Sequence, residues 1–136
     1  MASVFTQIVR GEIPAEKVYE TRSELAFLDI HPKSAGHTLV VPKLEVASFV
    51  DLPPEAAASL MTTLQTVAKG VTQAMGTAHY NLVLNNGARA GQVVFHVHFH
   101  LIPRYEGFAR GGGPSAPLAE IAESIRSAIA ALQSGG

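Results

Sequence analysis

The chain has no cysteine and no tryptophan in its 136 residues. The first absence excludes disulfides and thiolate metal centres. Charge is scarce as well: acidic and basic residues make up 15 %, and the formal net charge is −1. With a pI near 6.6 there is no basic field to hold a polyanion, so duplex DNA and RNA are unexpected partners, whereas a mononucleotide site remains open. No apolar run approaches the roughly eighteen residues of a membrane span, and Val4 to Val9 is too short and too polar for a signal core. The expectation is a cytoplasmic protein with no membrane partner. Repeats are absent too, and the length suits one domain over residues 1–136. What is abundant is apolar surface: 47 % hydrophobic residues is high for a small chain and predicts that a second copy covers part of it, as a homodimer.

Periodicity and turn residues divide the chain into elements. Ser3 to Arg10 reads as a short amphipathic helix with Val4, Phe5 and Ile8 on one side, ended by Gly11 and Pro14. Val18 to Tyr19, Leu25 to Asp29 and His37 to Val41 read as short strands. Asp51 ahead of Pro53, Pro54 and Glu55 is a helix-start signal with Asp51 as N-cap. Leu60, Leu64, Val67, Val71 and Met75 then recur at helical spacing until Gly76. Tyr80 to Leu84 returns to strand, and Asn85-Asn86-Gly87 turns the chain. Residues 107–117 read as a connector around Gly111-Gly112-Gly113, lacking the Lys-Ser/Thr ending of a phosphate-binding loop. Leu118, Ile121, Ile125, Ile129 and Leu132 predict a C-terminal helix over 118–133.

The densest chemical signal is His96-Val97-His98-Phe99-His100-Leu101-Ile102. On an extended strand the three imidazoles share one face and Val97, Phe99 and Leu101 share the other. Imidazoles so aligned suit either metal ligation or nucleophilic and acid-base work on a phosphate or acyl group. The preceding segment, Asn85 to Gln92, is rich in amides and glycine and carries no acid, which suits an anionic substrate better than a cation. His31 and His79 lie outside any motif and read as ordinary surface or satisfied histidines.

The stretch Gly91-Gln92-Val93-Val94-Phe95-His96-Val97-His98-Phe99-His100-Leu101-Ile102-Pro103-Arg104 resembles the signature of the histidine triad (HIT) superfamily, in particular its Hint-like and bacterial branch. Phe5 to Ile8 with Gly11-Glu12-Ile13-Pro14-Ala15, Ala26 to Ile30, and Gly36-His37-Thr38-Leu39-Val40-Val41-Pro42-Lys43 are similar to further blocks of that family in the same order. The likeness spans about residues 3–105. It implies an α+β fold: an antiparallel sheet of about five strands with a long helix and a C-terminal helix, the sheets of two subunits joined about a two-fold axis.

Function and site follow from the same resemblance. It implies a nucleotide hydrolase or transferase that attacks the α-phosphate of purine nucleoside phosphoramidates through a nucleotidyl-histidine. His98 is then the nucleophile, the His96 carbonyl holds its tautomer, and His100 and His37 stabilise phosphate oxygens and relay protons. Asp29 is the candidate for the ribose hydroxyls; Phe5, Ile8, Phe27, Leu28 and Ile30 for an apolar purine slot; Gly91 and Gln92 for the phosphate side; Asn85 for a phosphate or ribose contact; and Val93 and Val94 for the nucleotide pocket. No cofactor and no metal are expected. A dinucleoside polyphosphate hydrolase is the alternative enzyme, and a nucleotide-binding interaction protein with little catalysis the alternative of another class. Three departures stand out. Val93 occupies a place where Hint-like members often carry Ser or Thr; Ser3, Thr6 and Glu45 stand where many bacterial relatives have the Cys, Cys and His ligands of a structural zinc; and the tryptophan near the C-terminus of the Hint branch is missing.

Overall fold

Two strands without polar alternation, Leu25-Ala26-Phe27-Leu28 and Thr38-Leu39-Val40-Val41, are the pattern of a sheet covered on both faces. The computed structural model, which describes residues 2–106 and 111–135, bears this out. Its elements are α1 (Val4–Val9), β1 (Lys17–Glu20), β2 (Glu24–Leu28), β3 (Thr38–Pro42), α2 (Pro54–Met75), β4 (Tyr80–Val83), β5 (Phe99–Pro103) and α3 (Leu118–Ser134). The five strands form one antiparallel sheet in the order β1-β2-β3-β5-β4. This is the α+β architecture that the resemblance implies.

Period-2 alternation splits the strands between two cores. Ala26, Leu28 and Val40 face α2 and α3, where Leu60, Leu64, Val67, Val71, Met75, Ile121, Ile125 and Ile129 close the larger cluster. Leu25, Phe27, Leu39 and Val41 face the opposite way and are covered by Phe5 and Ile8 of α1. Leu28 is therefore on the wrong face for the purine slot assigned to it, because it stands one residue from Phe27 and buries itself under the long helices.

Two element boundaries differ from the sequence reading. Asp51 does not cap α2: it ends a 3-10 turn, Phe49–Asp51, and Pro53 takes the cap position with Pro54 as first helical residue. Two consecutive prolines, with fixed φ and no N–H, start the helix without a side-chain cap. At the other end Gly76 closes α2 as expected, in the left-handed conformation (φ 69°). The regular strand around the triad begins only at Phe99. Before it, the His96 N–H turns back to the Val94 carbonyl (2.9 Å) and the Val97 N–H bonds the Val46 carbonyl (2.8 Å), so the backbone here is held by a loop rather than a neighbouring strand. Asn85-Asn86-Gly87 accordingly opens a long excursion containing a 3-10 turn, Ala88–Ala90, and not a tight hairpin. Of the connector expected over 107–117, residues 107–110 lie outside the described residues; Gly111, Gly112 and Gly113 all have φ near +90°.

Candidate active site

The triad histidines have different surroundings, and their hydrogen bonds assign each ring a tautomer. His98 Nδ1 lies 2.8 Å from the His96 carbonyl, which can only accept, so Nδ1 carries the proton and Nε2 keeps its lone pair. The i, i+2 spacing brings the carbonyl of one histidine within reach of the ring of the next. Ring Nε2 of His96 donates to the Pro42 carbonyl (2.7 Å), leaving Nδ1 to accept from the Ser3 hydroxyl (2.7 Å). This ring is wholly buried and both its nitrogens are used, so His96 cannot reach a substrate. What His96 presents to the site is its carbonyl, the group the resemblance implies for it.

A second chain of bonds starts at the backbone. The Lys33 N–H donates to His37 Nδ1 (3.1 Å), which makes His37 Nε2 the protonated nitrogen. That N–H faces His100 Nδ1 at 3.0 Å, with Asp29 Oδ2 3.6 Å away. His100 is left with its proton on Nε2. The constellation thus offers a lone pair on His98 and an N–H on His100, the two rings standing edge to face with centroids 5.0 Å apart. Burial lowers the pKa of His37, against the attraction of Asp29, and lowers that of His96, against its bond to Pro42. Burial, with the neighbouring His98 and His37, takes His100 down to about 4. His37, His96 and His100 are all neutral at pH 7.

Among the described residues one trio with metal-ligand atoms converges within 4.8 Å: Asp29, His37 and His100. Its hydrogen bonds are wrong for a cation. A metal-bound imidazole donates its outer N–H to an acceptor, whereas the outer nitrogen of His37 meets the Lys33 N–H, a donor. The contacts form a hydrogen-bonded chain from the Lys33 N–H through His37 to His100, with Asp29 alongside.

Around the rings the expected pocket residues separate into groups. Phe5 stands edge-on to His98 (4.8 Å between centroids) and packs on Phe27 (5.6 Å), with Ile8 beside them and Val94 against the same cluster. Ile30 is 69 % exposed at the rim. Asp29 Oδ1 accepts the His31 N–H (2.9 Å), a local turn bond, while the Oδ2 side faces His37. Gln92 was expected to contact phosphate, yet its amide is consumed by the loop: Oε1 accepts the Gly87 N–H, and Nε2 donates to the Ala47 and Val94 carbonyls. Only 5 % exposed, Gln92 shapes the turn rather than offering a free donor. Asn85 lies beside Gly91, whose φ of 97° requires glycine; Val93 is 83 % exposed. His31 and His79 are exposed, as the sequence suggested.

The supports behind His37 have no signal in the sequence. The Ser34 hydroxyl bonds the Pro103 carbonyl (2.6 Å), the Tyr105 hydroxyl bonds the Ala35 carbonyl (2.6 Å), and the Ala35 N–H bonds the Gly112 carbonyl (3.1 Å). These bonds fix the loop that carries the Lys33 N–H. A backbone donor carries no side-chain signature.

Comparison with known proteins points to one family. The HIT domain family model matches residues 10–107. Adenosine 5'-monophosphoramidase hnt1 of Schizosaccharomyces pombe is 45 % identical over 120 residues, 87 % of this chain and 87 % of that protein. Adenylylsulfatase HINT3 of Arabidopsis thaliana is 43 % identical over 103 residues, 76 % of this chain and 52 % of the relative. Among solved structures, a zinc-bound histidine triad family protein from Mycobacterium smegmatis superposes with a TM-score of 0.90 at 35 % identity, covering 100 % of this chain and 99 % of the other. With the triad geometry in place and these relatives alongside, the chain belongs to the histidine triad family.

Proposed function

We propose that the protein is a nucleotide hydrolase or transferase that attacks the α-phosphorus of a purine nucleoside phosphoramidate and passes through a covalent nucleotidyl-His98. The observation that carries this reading is the pair of complementary tautomers, a lone pair on His98 Nε2 beside an N–H on His100 Nε2. In the first step a bond forms from His98 Nε2 to phosphorus, the bond from phosphorus to the leaving amine breaks, and the amine leaves with a proton taken up from solvent. Water then attacks phosphorus, the P–N bond to His98 breaks, and the nucleoside monophosphate departs. The His100 N–H meets charge developing on a non-bridging oxygen, held ready by His37. Phe5, Ile8, Phe27 and Ile30 supply apolar surface for a purine, and Asp29 takes the ribose hydroxyls with the oxygen that faces His37. The monophosphoramidase named in fission yeast supports the substrate class.

Exposed Val93 favours a second reading, hydrolysis of dinucleoside polyphosphates, because no hydroxyl stands there to protonate an amine and a nucleotide leaving group needs none. A nucleotide-binding interaction protein fits less well, since binding alone has no use for the relay. The homodimer belongs to the same proposal: edge strand β4 presents Tyr80 and Leu82, and with Met61 of α2 they border an open groove of about 410 Å³. Intact mass after acid quench tests the chemistry, using adenosine 5'-phosphoramidate and then a dinucleoside polyphosphate, with chelator present. One added AMP on the wild type and none on His98→Ala is expected; tight AMP binding with no adduct and no turnover from either substrate would favour the interaction protein.

A further inference from the structure

We propose that Ser3, Thr6 and Glu45 form a metal-free clamp that positions the first triad histidine, and through it both the His98 ring and the helix bearing Phe5. Four side chains from three distant parts of the chain meet at one point. Glu45 Oε1 accepts the Ser3 N–H (2.7 Å) and the Thr6 hydroxyl (2.6 Å). The Ser3 hydroxyl lies 2.7 Å from His96 Nδ1 and accepts the Thr6 N–H at 3.0 Å, and Thr6 Oγ1 lies 3.4 Å from the same ring nitrogen and 3.4 Å from Ser3 Oγ. The four spacings that link Glu45 Oε1, Thr6 Oγ1, Ser3 Oγ and His96 Nδ1 run from 2.6 to 3.4 Å, mostly shorter than the roughly 3.3–3.8 Å between the ligand atoms of a zinc cage with bonds of about 2.0–2.3 Å. The donors do not fit zinc. Two are neutral hydroxyls, and the carboxylate oxygen already accepts two hydrogen bonds, so hydrogen bonds close a figure that a cation closes elsewhere.

The clamp has two outputs. Inward, the Ser3 hydroxyl and the Pro42 carbonyl hold the buried His96 ring from both sides, and with it the peptide whose carbonyl fixes the His98 tautomer. Outward, Glu45 holds the N-cap and the third residue of α1, whose next buried side chain, Phe5, stands against both the His96 and His98 rings. Ser3, Thr6 and Glu45 touch no reacting atom and are positioning residues.

The test separates this role from simple stability, and its first readouts do not rest on the proposed reaction. Imidazole ¹⁵N spectra of the full chain report the tautomers of His96 and His98, and calorimetry reports AMP affinity. Ser3→Ala and Glu45→Ala are expected to mix the His98 tautomers and weaken AMP about 5- to 20-fold, whereas Glu45→Gln, which keeps an acceptor oxygen, retains wild-type spectra and affinity. For turnover, kcat is expected to fall with the tautomer in Ser3→Ala, and KM to rise with the loss of α1 in Glu45→Ala. A triple variant, Ser3→Cys/Thr6→Cys/Glu45→His, is expected to take up one zinc per chain and to become sensitive to chelator, unlike the wild type. Unchanged tautomers and affinity in both alanine variants, or a triple variant that takes up no zinc, would overturn the proposal. Shifted tautomers in a protein that turns over no nucleotide would leave the clamp standing and remove the reaction.

Discussion

If His37 acts only through His100, removing both should cost no more than removing His100. The distance that decides this is 3.0 Å, from His37 Nε2 to His100 Nδ1. In His37→Leu the half-buried His100 Nδ1 loses its donor, a loss of about 1–3 kcal/mol where the apolar leucine keeps water out, and the ring is free to put its proton on Nδ1, away from the phosphate. Fully expressed in the transition state, that is roughly a 5- to 150-fold loss in kcat/KM. His100→Ala deletes the donor to the phosphate oxygen itself, about 2.7–4 kcal/mol or 10²–10³ by analogy with the loss of one oxyanion donor. The double variant should match His100→Ala within about threefold, a coupling as large as the whole His37 effect. The assay is steady-state turnover of a fluorogenic adenosine phosphoramidate, with AMP affinity and thermal midpoint measured on each variant. Additive losses, roughly 10³–10⁵ in the double variant, would refute the relay and give His37 a contact of its own with substrate. The pH dependence points the same way: with burial holding both rings neutral, neither supplies an imidazolium, so kcat/KM should not decline from pH 6 to 8.

Other parts of the structure make separate predictions. Buried Glu24 accepts hydroxyl bonds from Thr21 (2.7 Å), Ser59 (2.7 Å) and Thr63 (2.6 Å), tying β2 to α2, and Glu24→Ala should cost about 2–4 kcal/mol in urea unfolding. Burial pushes this carboxyl up, but the three hydroxyls and Lys43 outweigh it and leave the pKa below the ordinary 4.5. Its contribution is therefore complete above the unfolded value and fades as pH falls through the lower folded one, so wild type and Glu24→Gln should converge in strong acid. Gly36→Ala would place a methyl 2.7 Å from Met75 Cγ at a φ of +87°, and should lower stability by about 2–3 kcal/mol and kcat as well, because His37 follows directly. If two copies pair through β4 as proposed, the wild type sediments as a dimer and Leu82→Glu as a monomer; the same value for both would refute this interface.

The parts of the fold legible in the sequence were those written in side-chain periodicity. The stripe from Leu60 to Met75 and the continuous apolar strands β2 and β3 appear as expected because burial on a regular element repeats at a fixed interval. Where the backbone leaves a regular element, that signal stops. The alternation of the triad continues through residues 96–98, which belong to no strand, because imidazole and apolar faces are enforced by the two cores and not by a ladder. Phe27 and Leu28 show the same limit in another form: both are apolar, and only the register with β3 tells which one faces α1. The place of the site was legible in the His-x-His-x-His spacing, but the spacing left metal ligation and phosphate chemistry both open, and the likeness to the HIT family chose between them. The electrostatics of the site were not legible, because the tautomers depend on the Lys33 N–H and on the His96 and Pro42 carbonyls, and every residue has such groups.

Position 93 offers the sharpest decision between the two enzyme readings. Val93 is 83 % exposed and follows Gln92, whose three hydrogen bonds fix the backbone on its N-terminal side. A serine there disturbs no packing, so any effect of Val93→Ser on turnover is chemical and not a consequence of misfolding. An amine leaving phosphorus must acquire a proton, and a positioned hydroxyl that supplies or relays it is worth up to about 10²-fold. A nucleoside polyphosphate leaves as a stable anion and gains little from the same group. The ratio of kcat/KM for adenosine phosphoramidate to that for a dinucleoside polyphosphate should therefore rise at least about tenfold in Val93→Ser. If the ratio does not move, the leaving amine takes its proton from elsewhere in the site, with the His100 N–H and solvent as the remaining sources; the valine then says nothing about the natural leaving group, and the phosphoramidate reading keeps its lead.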